Sequence, residues 1–257
     1  MKLIHNWQKA TVFDLESDGL LREATKIHVL CCQMDGGKNV TIKGSDSDRI
    51  KKFFDYHIDN QIPLVVHNGI SFDVVLVEKL LGIDLSKLMV IDTLALSWYL
   101  NFNRNKHGLG TFHEDYGIEK PPVEDWQNVS YEEYAHRCSE DVKINVALWK
   151  DLKQRLIEIY ALAQAKIDDG SVGGKRMSED EKIYLDQFVG SSVEEAINRI
   201  LTFLMFKMDC AKLQEQTGWD VDVELLESSI EELTEEGIKA KACLLYTSDA
   251  ADDTPCV

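Results

Sequence analysis

The sequence predicts an α/β protein with a mixed central sheet flanked by helices, followed by a helical segment. Three observations predict it. The chain opens with apolar strand-like runs joined by turn residues, an antiparallel start. Buried strand runs then alternate with segments of helical spacing, which implies a mixed sheet with helices packed on it. Finally, 257 residues with 44% apolar content suffice for one good core and part of a second unit.

Thr11-Val12-Phe13-Asp14-Leu15-Glu16 reads as a first buried strand, and Ser17-Asp18-Gly19 as the turn that ends it. Residues 26–34 form the second strand, Asp35-Gly36-Gly37-Lys38 a hairpin turn, and residues 39–43 the third strand. Ile50, Phe53, Phe54 and His57 give helical spacing across 45–60, with Ser45 or Ser47 as cap. Residues 63–67 return as a buried strand. Asp73 opens a helix whose apolar positions Val74, Val77, Leu80 and Leu81 share one face, and Gly82 ends it. Residues 90–92 are a short strand and 93–100 a helix, with Asp92 as its cap, a role worth about 1 kcal/mol. Residues 131–166 are mostly helical, with Ile144, Leu148, Leu152 and Ile159 on one stripe. Beyond the hydrophilic stretch 168–176 the chain reads as helical to residue 242, with a break at Gly218-Trp219-Asp220.

A net charge of −17 disfavours a protein that clings to nucleic acid by general electrostatics. It leaves room for an enzyme that recruits divalent cations, because bound metals reverse the local sign. The cysteines show no Cys-x-x-Cys spacing, so reduced, mostly buried thiols are expected. No apolar run reaches the roughly 20 residues of a membrane span and the N-terminus lacks a secretory signal, so a cytoplasmic location with no membrane partner is expected.

The informative residues are acids. Asp14 and Glu16, two apart on a strand, point to the same face, and like charges that close repel unless a cation lies between them. Asp73 follows His67-Asn68-Gly69-Ile70-Ser71-Phe72, a strand end, glycine turn and helix start. Alone it reads as a helix N-terminal charge. Asp141 lies in a helical pattern one turn from Arg137, and alone it reads as that residue's salt-bridge partner. Together, four acids from distant points of a mixed sheet suggest a site for two divalent cations, magnesium or manganese, able to hydrolyse a phosphodiester. Trp98, Tyr99 and Phe102 could stack bases, but a stripe at helical spacing reads first as core. Arg104, Lys106 and His107 are candidate phosphate contacts.

In these motifs the chain resembles the DEDD superfamily of 3′→5′ exonucleases, which have a ribonuclease H-like fold. Asp14-x-Glu16 matches its first motif, Asn68 with Phe72-Asp73 its second, and Asp141 its third. Val65-Val66-His67-Asn68-Gly69 and Ile91-Asp92-Thr93-Leu94 further resemble the proofreading domains of phage family A DNA polymerases. The resemblance implies that Asp14, Glu16 and Asp141 hold one metal, that Asp14 also holds the second, and that Asp73 acts through a bound water. Glu16, the backbone near Leu15, Asn68 and Phe72 would meet a single-stranded DNA 3′ end. The family places a Tyr with three residues, or a His with four residues, between it and its last Asp. Here Arg137 holds the Tyr position and His136 holds the His position, so His136 is the expected base, with Tyr134 in reserve. An imidazole suits that task at neutral pH.

The resemblance is densest over residues 10–155. It implies an exonuclease domain over 1–167, a linker over 168–190, and over 191–242 a helical connection to a polymerase domain of the same parent chain. That domain would be a partner, and a processivity factor is not identified. Terminal helices exposing apolar surface are expected. Cys243-Leu244-Leu245-Tyr246-Thr247-Ser248 matches a translated sequencing adapter, so 243–257 is expected to be adapter-derived and the reading frame cut short. An infected bacterial host would then supply the cytoplasm. The alternatives are a ribonuclease D-like RNA 3′→5′ exonuclease and an inactive single-strand-binding module.

Overall fold

A computed structural model describes residues 3–122, 129–172, 174–218 and 222–252, with side chains as far as Lys241. It divides into two compact units, Met1–Leu213 and Gln214–Val257.

The first unit is built on five strands, β1 (Thr11–Ser17), β2 (Ile27–Met34), β3 (Val40–Lys43), β4 (Leu64–Val66) and β5 (Val90–Asp92), in the order β3-β2-β1-β4-β5. The meander β1-β2-β3 is antiparallel. β4 and β5 then add in parallel on the other side of β1, because helices α1 (Ser47–Asp59) and α2 (Asp73–Leu81) supply the crossovers. Such a mixed sheet flanked by helices is the predicted α/β fold. Central strands read as continuous apolar runs because both faces are covered. Phe13, Val29, Leu30, Leu64, Val65 and Val66 are all fully buried. Phe13 packs edge-on to Phe54, with ring centroids 5.7 Å apart.

Helix α3 (Thr93–Leu100) follows β5, and the short α4 (His113–Tyr116) precedes the 39-residue α5 (Tyr131–Asp169). Ser130 and Glu133 close a capping box at the start of α5, which satisfies two otherwise orphaned amides. α5 packs across β1 and β2. The stretch read as a linker carries the two-residue strands β6 (Ser171–Val172) and β7 (Lys175–Arg176) and helix α6 (Glu179–Val189), which packs on α5. Helix α7 (Val193–Thr217) adds Ile197, Leu201 and Met205 to the same core, and its Thr202 hydroxyl accepts from the Ile4 amide at 2.8 Å.

In the second unit, α8 (Val223–Asp252) exposes Leu225, Leu226, Ile230, Leu233 and Ile238. Of the expected break at 218–220, Gly218 has φ +69°, and residues 219–221 lie outside the described set. Of the segment read as adapter, residues 243–252 belong to α8, and 253–257 lie outside the described residues. No described helix is long and apolar enough to cross a membrane.

Two local expectations are corrected. The cap of α1 is Asp46, whose carboxylate accepts from the Arg49 amide at 3.1 Å. It stands between the two serines that sequence nominated, and a carboxylate also favours the positive end of the helix dipole. Trp98, Tyr99 and Phe102 are not core: they are 59%, 44% and 80% exposed. α3 instead turns Thr93 and Ser97 inward, because both hydroxyls find buried partners in Asn145 and His107. Cys31, Cys32 and Cys138 are buried free thiols, as expected, and Cys210 is exposed.

Candidate functional site

Strand alternation places Asp14 and Glu16 on one face of β1, while Phe13 and Leu15 go into the core at 0% and 5% exposure. β4 pairs only with Thr11 and Val12, so the acid-bearing half of β1 runs past the end of β4. The site therefore lies at the carboxyl end of the central strand, where α/β sheets open a crevice.

Asp73 starts α2 and is 4% exposed. The turn before it is tightly determined. Asn68 holds φ +62°, a left-handed conformation that Asn tolerates better than most residues. At Gly69 an added Cβ would stand 2.1 Å from Val66 Cγ2, so no larger residue fits without moving β4. The Asp92 carboxylate accepts from the amides of Asn68 at 2.9 Å and Ile70 at 3.3 Å, besides capping α3 through Leu94 at 3.0 Å. Sequence assigned Asp92 the cap alone. Its second role, tying β5 to the turn that delivers Asp73, spans 24 residues and leaves no local signature.

Asp141 comes from α5 and is 5% exposed. Cys138 Sγ donates to the Asp14 carbonyl at 3.3 Å, which fixes α5 against β1 one turn before Asp141. One carboxylate oxygen each from Asp14, Glu16 and Asp141 then lie within 4.8 Å of one another.

Burial and mutual repulsion mark these groups. Desolvation, then the carboxylates of Asp73, Asp141 and Glu16, raise the Asp14 carboxyl well above its ordinary range. Burial pushes Glu16 up to about 7, against the pull of Arg137. Burial also pushes Asp73 up to about 7, although the Leu15 backbone amide hydrogen-bonds its carboxylate and pulls it down. Among the described residues, Asp141 Oδ1 is buried without a hydrogen-bond partner. An orphaned carboxylate oxygen inside a cluster of three hard oxygen donors fits a divalent cation such as magnesium or manganese. The residues present therefore fit a divalent cation, with Asp14, Glu16 and Asp141 as the group brought together and Asp73 buried beside Asp14.

Two cations stand among the acids. Arg137 Nε lies 3.1 Å from Glu16 Oε1, and Lys120 Nζ lies 2.7 Å from Asp141 Oδ2. Arg137 thus pairs with Glu16 and Asp141 with Lys120, where Asp141 taken alone read as the partner of Arg137. His136 is not brought to the cluster. Its side chain is 63% exposed and faces Glu140, with Nδ1 3.7 Å from Oε1. Tyr134 is buried and stacks on His28, ring centroids 4.0 Å apart. Successive residues on a helix diverge by about 100°, so on α5 Arg137 can reach Glu16 while its neighbour His136 turns outward.

Of the expected substrate contacts, the Leu15 side chain is buried, leaving its backbone, while Asn68 is exposed and Phe72 half-buried near Asp73. The proposed phosphate contacts are largely committed to the loop itself. Arg104 binds Asp115 at 2.6 Å and the Thr111 carbonyl at 2.6 Å, and His107 is buried between Ser97 and the Arg104 carbonyl.

A family model described as RNase_H superfamily matches residues 11–143. Among solved structures, Brucella melitensis NrnC aligns with a TM-score of 0.51 at 18% identity, covering 86% of this chain and 94% of that one. Brucella melitensis NrnC with bound Mg2+ aligns at 0.50 and 17% identity, covering the same 86% and 94%. These likenesses show a shared fold. A search of curated proteins finds no sequence match.

Proposed function

The chain belongs to the RNase_H superfamily, and from that premise we propose that it is a divalent-metal-dependent 3′→5′ exonuclease acting on single-stranded DNA ends. The observation that carries the reading is the convergence of Asp14, Glu16 and Asp141 oxygens within 4.8 Å, with Asp141 Oδ1 buried and unpartnered among the described residues. The solved structure of a neighbour with bound Mg2+ supports the choice of metal. DNA, and the role of proofreading beside a polymerase, rest on the motif resemblance of residues 65–69 and 91–94.

In this reading Asp14, Glu16 and Asp141 hold a divalent ion, and Asp14 with Asp73 serves a second. Such ions, when bound, supply Lewis-acid charge at the phosphodiester and make the attacking water more acidic. The protein's own groups do the rest. The Leu15 amide favours the charged form of Asp73. Arg137 holds the Glu16 carboxylate in place for the ion. Asn68 and Phe72, beside the turn fixed by Asp92, are placed to meet the terminal nucleotide.

The test is digestion of 5′-labelled single-stranded DNA and RNA in Mg2+ or Mn2+. A ladder shortening from the 3′ end, lost in chelator and on a 3′-blocked strand, is expected, with DNA preferred. Equal digestion in excess chelator would overturn the metal mechanism, and preference for RNA would favour the ribonuclease D-like alternative. Arg137→Ala should lower the rate by about 10- to 100-fold, the scale for a residue that orients a metal-holding group. His136→Ala should stay within about twofold of the parent, as expected of an exposed side chain away from the chemistry. Loss in His136→Ala alone would restore the histidine assignment.

A further inference from the structure

Lys120 stands where sequence reading expected only acids and metal. It lies in the segment Gly117–Pro122 that leaves α4, and three features fix its position. Gly117 turns the chain at φ +63°. Pro121 and Pro122 follow directly, and the residue before a proline is driven to extended backbone. The Pro121 carbonyl accepts from Arg137 Nη1 at 2.8 Å, and the same Arg137 pairs with Glu16. The strap is therefore tied to the acidic site by the guanidinium beside it.

From that strap the Lys120 stem runs past Gly110, where an added Cβ would meet Lys120 Cδ at 3.5 Å. The ammonium reaches Asp141 Oδ2 at 2.7 Å, with 23% of the lysine side chain exposed. Only one oxygen of Asp141 is taken, since Oδ1 has no partner among the described residues. The ammonium's charge extends across the cluster and pulls the carboxyls of Asp14 and Glu16 down, against burial.

We propose that Lys120 is a resident cation of the metal centre, its ammonium holding on Asp141 the place of one divalent ion until that ion displaces it. This rests on the metal-dependent reading above and deepens it. Charge balance supports it: among the described residues, four carboxylates, Asp14, Glu16, Asp73 and Asp141, face one ammonium and one guanidinium. One divalent ion neutralises the remainder, and a second becomes favourable when nucleic acid brings negative phosphate. Without nucleic acid the protein then binds one ion tightly and resists the second.

The experiment is titration of the full chain with Mn2+ in the absence of nucleic acid, followed by electron paramagnetic resonance of free Mn2+. The parent should bind one ion. Lys120→Met, which keeps the stem and removes the charge, should bind a second ion or tighten overall binding by at least about tenfold, since a unit charge a few ångströms away is worth that much even when screened. Lys120→Gln provides a second charge-free variant should the first fold poorly, and Lys120→Arg should behave as the parent. Unchanged stoichiometry and affinity in both charge-free variants would overturn the role of Lys120 while leaving the metal site standing. Absence of Mn2+ binding in parent and variants alike would overturn both.

Discussion

Asp14→Asn should abolish nuclease activity, by on the order of 10³-fold or more, while raising the thermal stability of the metal-free protein. The two effects share one cause. Asp14 sits where the fields of Asp73, Asp141 and Glu16 add to burial, and all four influences oppose its charge. An amide of the same shape removes that repulsion and keeps the local packing, so the fold gains. The gain should be a few degrees in melting temperature, the usual scale for about 1 kcal/mol. The same substitution removes the oxygen donor shared by the proposed ions, so Mn2+ binding should fall with activity. A thermal scan in chelator, Mn2+ titration and the labelled-strand assay check the three outcomes. A variant that loses activity because it unfolds, with a lowered melting temperature, would contradict the assignment of Asp14 as a strained, cation-requiring acid.

The acids were legible in sequence for different reasons. Asp14 and Glu16 follow from strand periodicity alone, because a strand buried through Phe13 and Leu15 must turn its alternate residues to the other face. Asp73 follows from a strand, turn and helix start in succession, although its burial does not: only the turn held by Asp92 and the close fit of Gly69 on Val66 carry it inward. Asp141 has no local signature that separates it from a surface acid. Its place depends on α5 docking against β1 through Cys138 and the Asp14 carbonyl, a contact between residues 124 apart.

The cations were not legible, for a related reason. Arg137 and His136 are adjacent, and motif spacing cannot choose between neighbours when the family's own two forms differ by one position. Helix rotation makes the choice, and it brings Arg137 to Glu16. Lys120 lies 21 residues from Asp141, and no periodicity in the intervening sequence signals the contact. The aromatic residues of α3 failed in the opposite sense. An apolar run read as one buried stripe conceals that Thr93 and Ser97 own the inner face, where hydrogen bonds offset the burial of their hydroxyls.

In chelator, the protein should lose stability as the pH rises from about 6.5 to about 8, and divalent cation should suppress the loss. Glu16 and Asp73 titrate at about 7 in the folded state, raised from ordinary values of 4.5 and 3.8, and Asp14 is raised further in the same direction. A group whose folded pKa is raised binds more protons folded than unfolded between the two values. Stability therefore falls as pH rises through that window. Below about pH 6.5 the fall is opposed by histidines. Burial depresses His67 to about 4 and lowers His57 from 6.5, so these imidazoles favour the folded state as pH rises to 6.5. At 6.5 the unfolded imidazoles are still half charged, so they offset part of the loss until about pH 7.5, above which the carboxylates act alone. Below pH 8 the Cys32 and Cys138 thiols, which burial raises from 9.0, stay protonated, while Cys31, lowered by its hydrogen bond with Cys138, can only favour the folded state as pH rises and so opposes the predicted loss. The loss should be on the order of 1–3 kcal/mol for groups of this coupling, read from urea unfolding at pH 6.5, 7.2 and 8. Asp14→Asn should flatten the curve, and Mn2+ should flatten or reverse it, because an ion bound to the carboxylates stabilises their charged forms and binds only the folded chain. A stability that rises across the same interval in chelator would mean that these acids are solvated or already neutralised by Lys120 and Arg137.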